Sequence, residues 1–65
     1  MNIGKSLKVA MAINERNTKW VADELDASVS WVNMIKGQIG VNPRSLKRLA
    51  DLFDMSVSEF VALGE

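Results

Sequence analysis

At 65 residues the chain is one small domain, residues 1–65, with room to bury roughly 60% of its unfolded surface. Hydrophobic residues make up 48%, enough for one compact core, whereas the absence of Cys, His and Tyr removes disulfides, thiolate metal sites and most groups for acid–base or covalent catalysis. Eight cations balance eight acids, and no apolar run or charged-then-apolar leader suggests a membrane span or signal peptide, so a cytoplasmic, non-enzymatic chain with no cofactor or small-molecule ligand is expected.

Ile3, Leu7, Ala10, Met11 and Asn14 fall at the spacing of one helical face, with Asn2 available as its cap. Glu15-Arg16-Asn17 breaks that pattern. Thr18 is then predicted to cap a short second helix whose apolar face is Val21, Ala22 and Leu25. Asp26-Ala27 interrupts, Ser28 caps again, and a third helix from Val29 to Lys36 turns Val32 and Ile35 inward before Gly37 ends it. Gln38 to Asn42 reads as a loop. Pro43 opens a fourth helix with Leu46, Leu49, Ala50 and Phe53 on one side. Ser56-Val57-Ser58-Glu59 has the spacing of a capping box and leads into a fifth helix carrying Phe60, Val61 and Leu63. No strand-like alternation occurs anywhere, so the expected fold class is all-α with five short helices.

The neutral total conceals an uneven distribution. Lys36, Arg44, Lys47 and Arg48 follow one another with no acid between Asp26 and Asp51, and acidic segments flank them on both sides. Such a chain is either polarised, with one face toward phosphate, or simply carries a solvated basic stretch.

The second and third helices are the informative pair. Two helices of about two turns joined by so short a turn cross steeply, as in a helix-turn-helix spanning about 18–37. Ala22 is small enough for the close approach, and Val21, Leu25, Ala27, Val32 and Ile35 supply an apolar seam. Val29, Ser30, Asn33, Met34 and Lys36 face away from that seam.

Thr18-Lys19-Trp20-Val21-Ala22-Asp23-Glu24-Leu25-Asp26-Ala27-Ser28-Val29-Ser30-Trp31-Val32-Asn33-Met34-Ile35-Lys36-Gly37 resembles the helix-turn-helix of the Cro and CI-type phage repressors and their XRE-like bacterial relatives. Asn42-Pro43-Arg44-Ser45-Leu46 followed by Leu49-Ala50-Asp51-Leu52-Phe53 is similar to that family's Pro-opened fourth helix, and Met55-Ser56-Val57-Ser58-Glu59-Phe60 to the start of its fifth. The resemblance covers nearly the whole chain in order. It implies a five-helix lambda-repressor-like domain, most like a Cro, that binds double-stranded operator DNA as a homodimer with its third helix in the major groove.

Val29, Ser30, Asn33 and Met34 are either ordinary solvated positions or, by the register the seam sets, face the groove that the resemblance implies, with Ser30 and Asn33 at base edges, the Asn33 amide able to serve adenine bidentately and Val29 able to meet a thymine methyl. Thr18, Lys19 and Ser28 lie where the DNA backbone passes, and Arg44 is placed for a phosphate or minor-groove contact. Trp31 either packs on the loop at Ile39 and Val41 or lies on the DNA backbone, and Trp20 covers the loop end of the first helix. Dimerisation is expected around Met55, Val57 and Glu59, with half-sites about one helical turn, ~34–36 Å, apart.

Three departures accompany the likeness. Asp26 occupies a turn position usually held by Gly. Met11 and Lys36 stand where many relatives have an ion pair, so Lys36 is expected to lay its stem along Met11 with its ammonium in water. The loop from Gln38 to Asn42 is uncharged, which implies few phosphate contacts. Two readings of the length stay open, a complete Cro-like protein regulated by its concentration or the N-terminal domain of a longer repressor. The functional alternative is a protein-interaction module or antitoxin of the same fold with weak or no DNA binding.

Overall fold

The computed structural model describes residues 1–65 and contains five α-helices and no strand. They are α1 (Ile3–Ile13), α2 (Thr18–Glu24), α3 (Val29–Lys36), α4 (Pro43–Leu52) and α5 (Val57–Ala62). No helix is long and apolar enough to cross a membrane. α1 packs against α3 and α5, α2 against α3, and α4 against α5.

Each helix begins the same way. Asn2, Asn17, Ser28, Asn42 and Ser56 have extended backbones, and each side-chain oxygen accepts the backbone N–H three residues on, at 2.8–3.1 Å. One orphan amide per helix is thereby satisfied. The expectation that Thr18 caps α2 is corrected here. Asn17 holds that place, with φ −96° and ψ 172°, and Thr18 is already the first helical residue. Asn ranks above Thr as a cap, which is reason enough for the helix to start one residue earlier. At α5 the capping box is complete, since the Ser56 N–H also donates to the Glu59 carboxylate at 2.9 Å.

Three helices end alike as well. Past α1, α2 and α4 come Glu15 (φ 53°), Asp26 (φ 54°) and Asp54 (φ 60°), the only non-glycine residues with left-handed backbone. In each case the next residue reaches back five positions. The Arg16 N–H donates to Met11 at 2.9 Å, Ala27 to Ala22 at 2.9 Å and Met55 to Ala50 at 3.0 Å. These are Schellman closures in which an acid occupies the position that usually favours glycine. It costs twice, through Cβ strain and through negative charge at the negative end of a helix dipole.

Two of the four glycines, Gly4 and Gly64, are used for close approach instead. The Ile3 and Gly4 amides donate to the Ile39 and Gln38 carbonyls at 2.7 and 2.8 Å, so the loop after α3 closes the start of α1. A Cβ on Gly4 would lie 2.7 Å from the Gln38 oxygen, and one on Gly64 2.5 Å from the Ser6 hydroxyl. Ser6 is fully buried and donates to the Val61 carbonyl at 3.3 Å, which ties α1 to the end of α5. Gly4 and Ser6 were not among the residues expected on the inner face of α1. Asn14 was, and it is exposed; its amide donates to the Ala10 carbonyl at 2.7 Å and finishes the helix.

The rest of the core follows the apolar spacing. Ile3, Leu7, Ala10 and Met11 of α1 meet Val21, Ala22 and Leu25 from α2 and the residue after it, and Val32 and Ile35 of α3. Leu49, Ala50, Phe53 and Phe60 close the cluster from the other side. Phe53 stacks on Phe60 with ring centroids 6.4 Å apart and meets Trp20 at 6.0 Å, and the Arg16 guanidinium lies 4.5 Å over the Trp20 ring. Trp20 therefore lids the core beside the α1–α2 turn, as expected from its place in the chain.

Two stability measurements test these terminal devices. Glu15→Gly removes both costs at an exposed site and should stabilise the fold by about 1 kcal/mol, roughly 4–8 °C in Tm, with a smaller gain for Asp26→Gly because Asp visits this region more readily. A lower Tm for Glu15→Gly would show that its carboxylate has a partner. The second measurement concerns Glu59, whose pKa is held below the ordinary 4.5 first by the Ser56 backbone N–H and second by the Ser56 hydroxyl. A lowered folded-state pKa means stability that is complete above pH 4.5 and lost as pH falls through the folded value. Glu59→Gln should therefore flatten the acid limb of the Tm–pH curve in that window and leave its shape near neutrality unchanged.

Candidate nucleic-acid interface

The rotation of α3 about its own axis follows from what it buries. Val32 and Ile35 are buried against α1 and α2, while Trp31 and Lys36 are half-buried on either flank. At ~100° per residue, the remaining side chains occupy an arc of roughly 140° in the order Val29, Asn33, Ser30, Met34. All four are exposed. Four of the five residues expected on the outward side are these, and the structure brings them together; the fifth, Lys36, lies on the flank instead, drawn there by Thr18. The arc offers a carboxamide, a hydroxyl and two apolar groups, with no titratable side chain.

Each end of the arc has a frame. At its C-terminal end the Lys36 ammonium donates to the Thr18 hydroxyl oxygen at 3.0 Å, which joins the last residue of α3 to the first of α2. This corrects the expectation of a Lys36 ammonium left to water along Met11. Met11 is buried between the helices as anticipated, but the Lys36 head group is held by Thr18.

At the N-terminal end, Ser28 accepts the Trp31 N–H at 3.0 Å as the cap of α3. Beside it lies a shallow cleft of about 350 Å³ lined by Leu25, Asp26, Ala27, Ser28, Trp31, Ser45 and Arg48. Trp31 thus leans toward the start of α4. Ile39, one of its expected packing partners, is 68% exposed. Arg44 is exposed in the first turn of α4, next in sequence to Ser45.

The electrostatics are restrained. Lys19 is exposed at the start of α2, but its ammonium lies 3.0 Å from the Asp23 carboxylate, an i,i+4 pair in water worth a few tenths of a kcal/mol. Lys47 is similarly paired with Asp51 at 3.5 Å. Arg48 donates to the Leu25 carbonyl at 2.6 Å and so places a cation on the C-terminal end of α2. Its role was not evident from the sequence, where it stood within an undivided basic stretch. A cation near a helix end is a common device, but only the packing of α4 on the turn shows which helix it serves.

Met55 lies in the α4–α5 turn, and Val57 and Glu59 lie in α5. Met55 is half-buried against the core, Val57 is exposed, and the exposed Glu59 carboxylate is occupied by the Ser56 N–H.

The bond between Thr18 and Lys36 is open to a double-mutant cycle. Lys36→Met and Thr18→Val should each cost about 1 kcal/mol, with a coupling of about 0.5–1.5 kcal/mol between them. Met11→Ala, which opens a cavity, should cost more, about 2–3 kcal/mol. Additive effects of Lys36→Met and Thr18→Val in urea unfolding would mean that the bond contributes nothing in solution.

Comparison of the chain with protein-family models, with curated proteins and with solved structures finds no match, which leaves the geometry and the residues to carry the functional reading.

Proposed function

We propose that this chain is a sequence-specific repressor that binds double-stranded DNA, with α2 and α3 as a helix-turn-helix in a lambda-repressor-like, Cro-type arrangement. The observation that carries the reading is the exposed arc of α3. Val29, Ser30, Asn33 and Met34 have no part in the core, yet the helix that bears them is held by its opposite face. An α-helix with its side chains measures about 10–12 Å across, which suits a major groove about 12 Å wide. The left-handed Asp26 in the turn and the buried Ala22 are what a close crossing of two such helices needs.

In this reading Ser30 and Asn33 touch base edges, Thr18, Lys19 and Ser28 meet the DNA backbone, Trp31 lies against it, and Arg44 holds a phosphate or enters the minor groove. Repression is by occlusion of a promoter in the cytoplasm, without catalysis or cofactor. Two copies bind a pseudo-palindromic operator through the surface of Met55, Val57 and Glu59. The longest Cα extent of the domain is 24 Å, so copies whose reading helices are ~34 Å apart meet only at their edges. A weak solution dimer fits that geometry. The second reading, an interaction module or antitoxin of the same fold, draws on the zero net charge and on the engagement of Lys19 and Lys36 within the protein.

Binding isotherms on a selected operator and on random duplex, at several salt concentrations, test the reading. Asn33→Ala should cost about 1–3 kcal/mol on the operator and almost nothing on random DNA. Arg44→Ala should weaken both and lower the salt slope by about one. Both residues are exposed, so Tm should not move. Unchanged binding by both variants, or no binding by the parent at low salt, would transfer support to the interaction module.

A further inference from the structure

We infer that the operator half-site carries A·T pairs under α3, with Val29 and Met34 each covering a thymine methyl group beside the Asn33 contact. The inference rests on the DNA-binding reading above and names the base class that the α3 face selects.

The argument starts from what the arc contains and in what order. Val29 and Met34 are 45% and 49% exposed, among the few large apolar side chains left in water by this fold. They stand at the two edges of the arc, with Asn33 and Ser30 between them. Asn33 lies one turn, ~6 Å, along the axis from Val29, and Met34 the same distance from Ser30. Guanine in the major groove presents two acceptors, and its usual partners are Arg or Lys. The arc has neither. The one cation on its flank, Lys36, is turned to Thr18, and Arg44 is on another helix.

What remains is complementary to A·T pairs. The Asn33 carboxamide both donates and accepts, which matches adenine N7 and N6 together. The two apolar flanks have one apolar target in the groove, the thymine C5 methyl. An isopropyl group and a flexible thioether can each cover a methyl without any polar atom losing its water. Val29 is held in register by the first turn of the helix, so it should discriminate more sharply. Met34 adapts its shape and should tolerate a shift of the methyl.

The test is a selection from random duplex DNA with the intact chain, followed by single replacement of each thymine in the selected half-site by deoxyuridine. Deoxyuridine pairs as thymine does and lacks only the methyl. We expect selected half-sites with A·T pairs under α3, and about a 4-fold loss of affinity at each of two thymines on removal of the methyl. In Val29→Ala one of those losses should disappear, and in Met34→Ala the other, at unchanged Tm. Selected sites with G·C pairs under α3, or affinity indifferent to deoxyuridine, would overturn the inference and leave the repressor reading standing. If no sequence is enriched and no duplex is bound, the repressor reading falls and takes this inference with it.

Discussion

An eight-residue helix does not hold itself together in water, since isolated helices below about 12–15 residues are marginal even in favourable sequences. α3 exists because Val32 and Ile35 are buried against α1 and α2, and that burial also sets its rotation. A turn of the helix by one residue, ~100°, would expose Val32 and bury a polar or flanking residue in its place. The outward positions of Val29, Ser30, Asn33 and Met34 therefore depend on two side chains that face the other way. The Ser28 cap at one end and the bond from Lys36 to Thr18 at the other hold the same rotation from the termini.

Small residues and helix ends set how closely the pieces approach. Gly4 and Gly64 allow the backbones of α1, the α3–α4 loop and the end of α5 to come within hydrogen-bonding range, and Ser6 bridges the last gap with its hydroxyl. The turns use Glu15, Asp26 and Asp54 where glycine would be less strained. One physical consequence is that acids are spread over three helix ends, where they offset the cations of α1 and α4. Neutrality here is a property of the turns as much as of the surfaces.

That neutrality bears on the proposed function. Phosphate attraction supplies most of the non-specific affinity for DNA, and on this face Lys19 is paired with Asp23 while Lys36 is bonded to Thr18. Arg44, exposed at the start of α4, has no such engagement. On the proposed reading, such a protein would gain little on random duplex and depend on the fit of α3 for its affinity. The apolar character of Val29 and Met34 is consistent with that division, because methyl contacts are insensitive to salt whereas phosphate contacts are not.

Helix number, order and nearly all boundaries were legible in the sequence, because caps, Pro43, the capping box and apolar spacing are local signals acting over three or four residues. Four outward residues of α3 were legible for the same reason, being the complement of Val32 and Ile35, whereas Lys36, expected among them, is drawn to the flank by Thr18. The boundary at Thr18 was misjudged because two cap-forming residues, Asn17 and Thr18, are adjacent and only the backbone angles separate them. The partners of Lys36 and Arg48 were beyond its reach, since Thr18 lies 18 residues away and Leu25 lies 23 away. Gly4, Ser6 and Gly64 carry no hydrophobic signal at all, and their burial appears only when α1 meets the α3–α4 loop and the end of α5. Sequence by itself determined five capped helices and the side of each that is apolar, because those follow from short-range hydrogen bonding and periodicity. Tertiary structure alone decided which cations are free, which small residues are contact points and how the face of α3 is framed, because each depends on backbones that are distant in sequence approaching within a few ångströms.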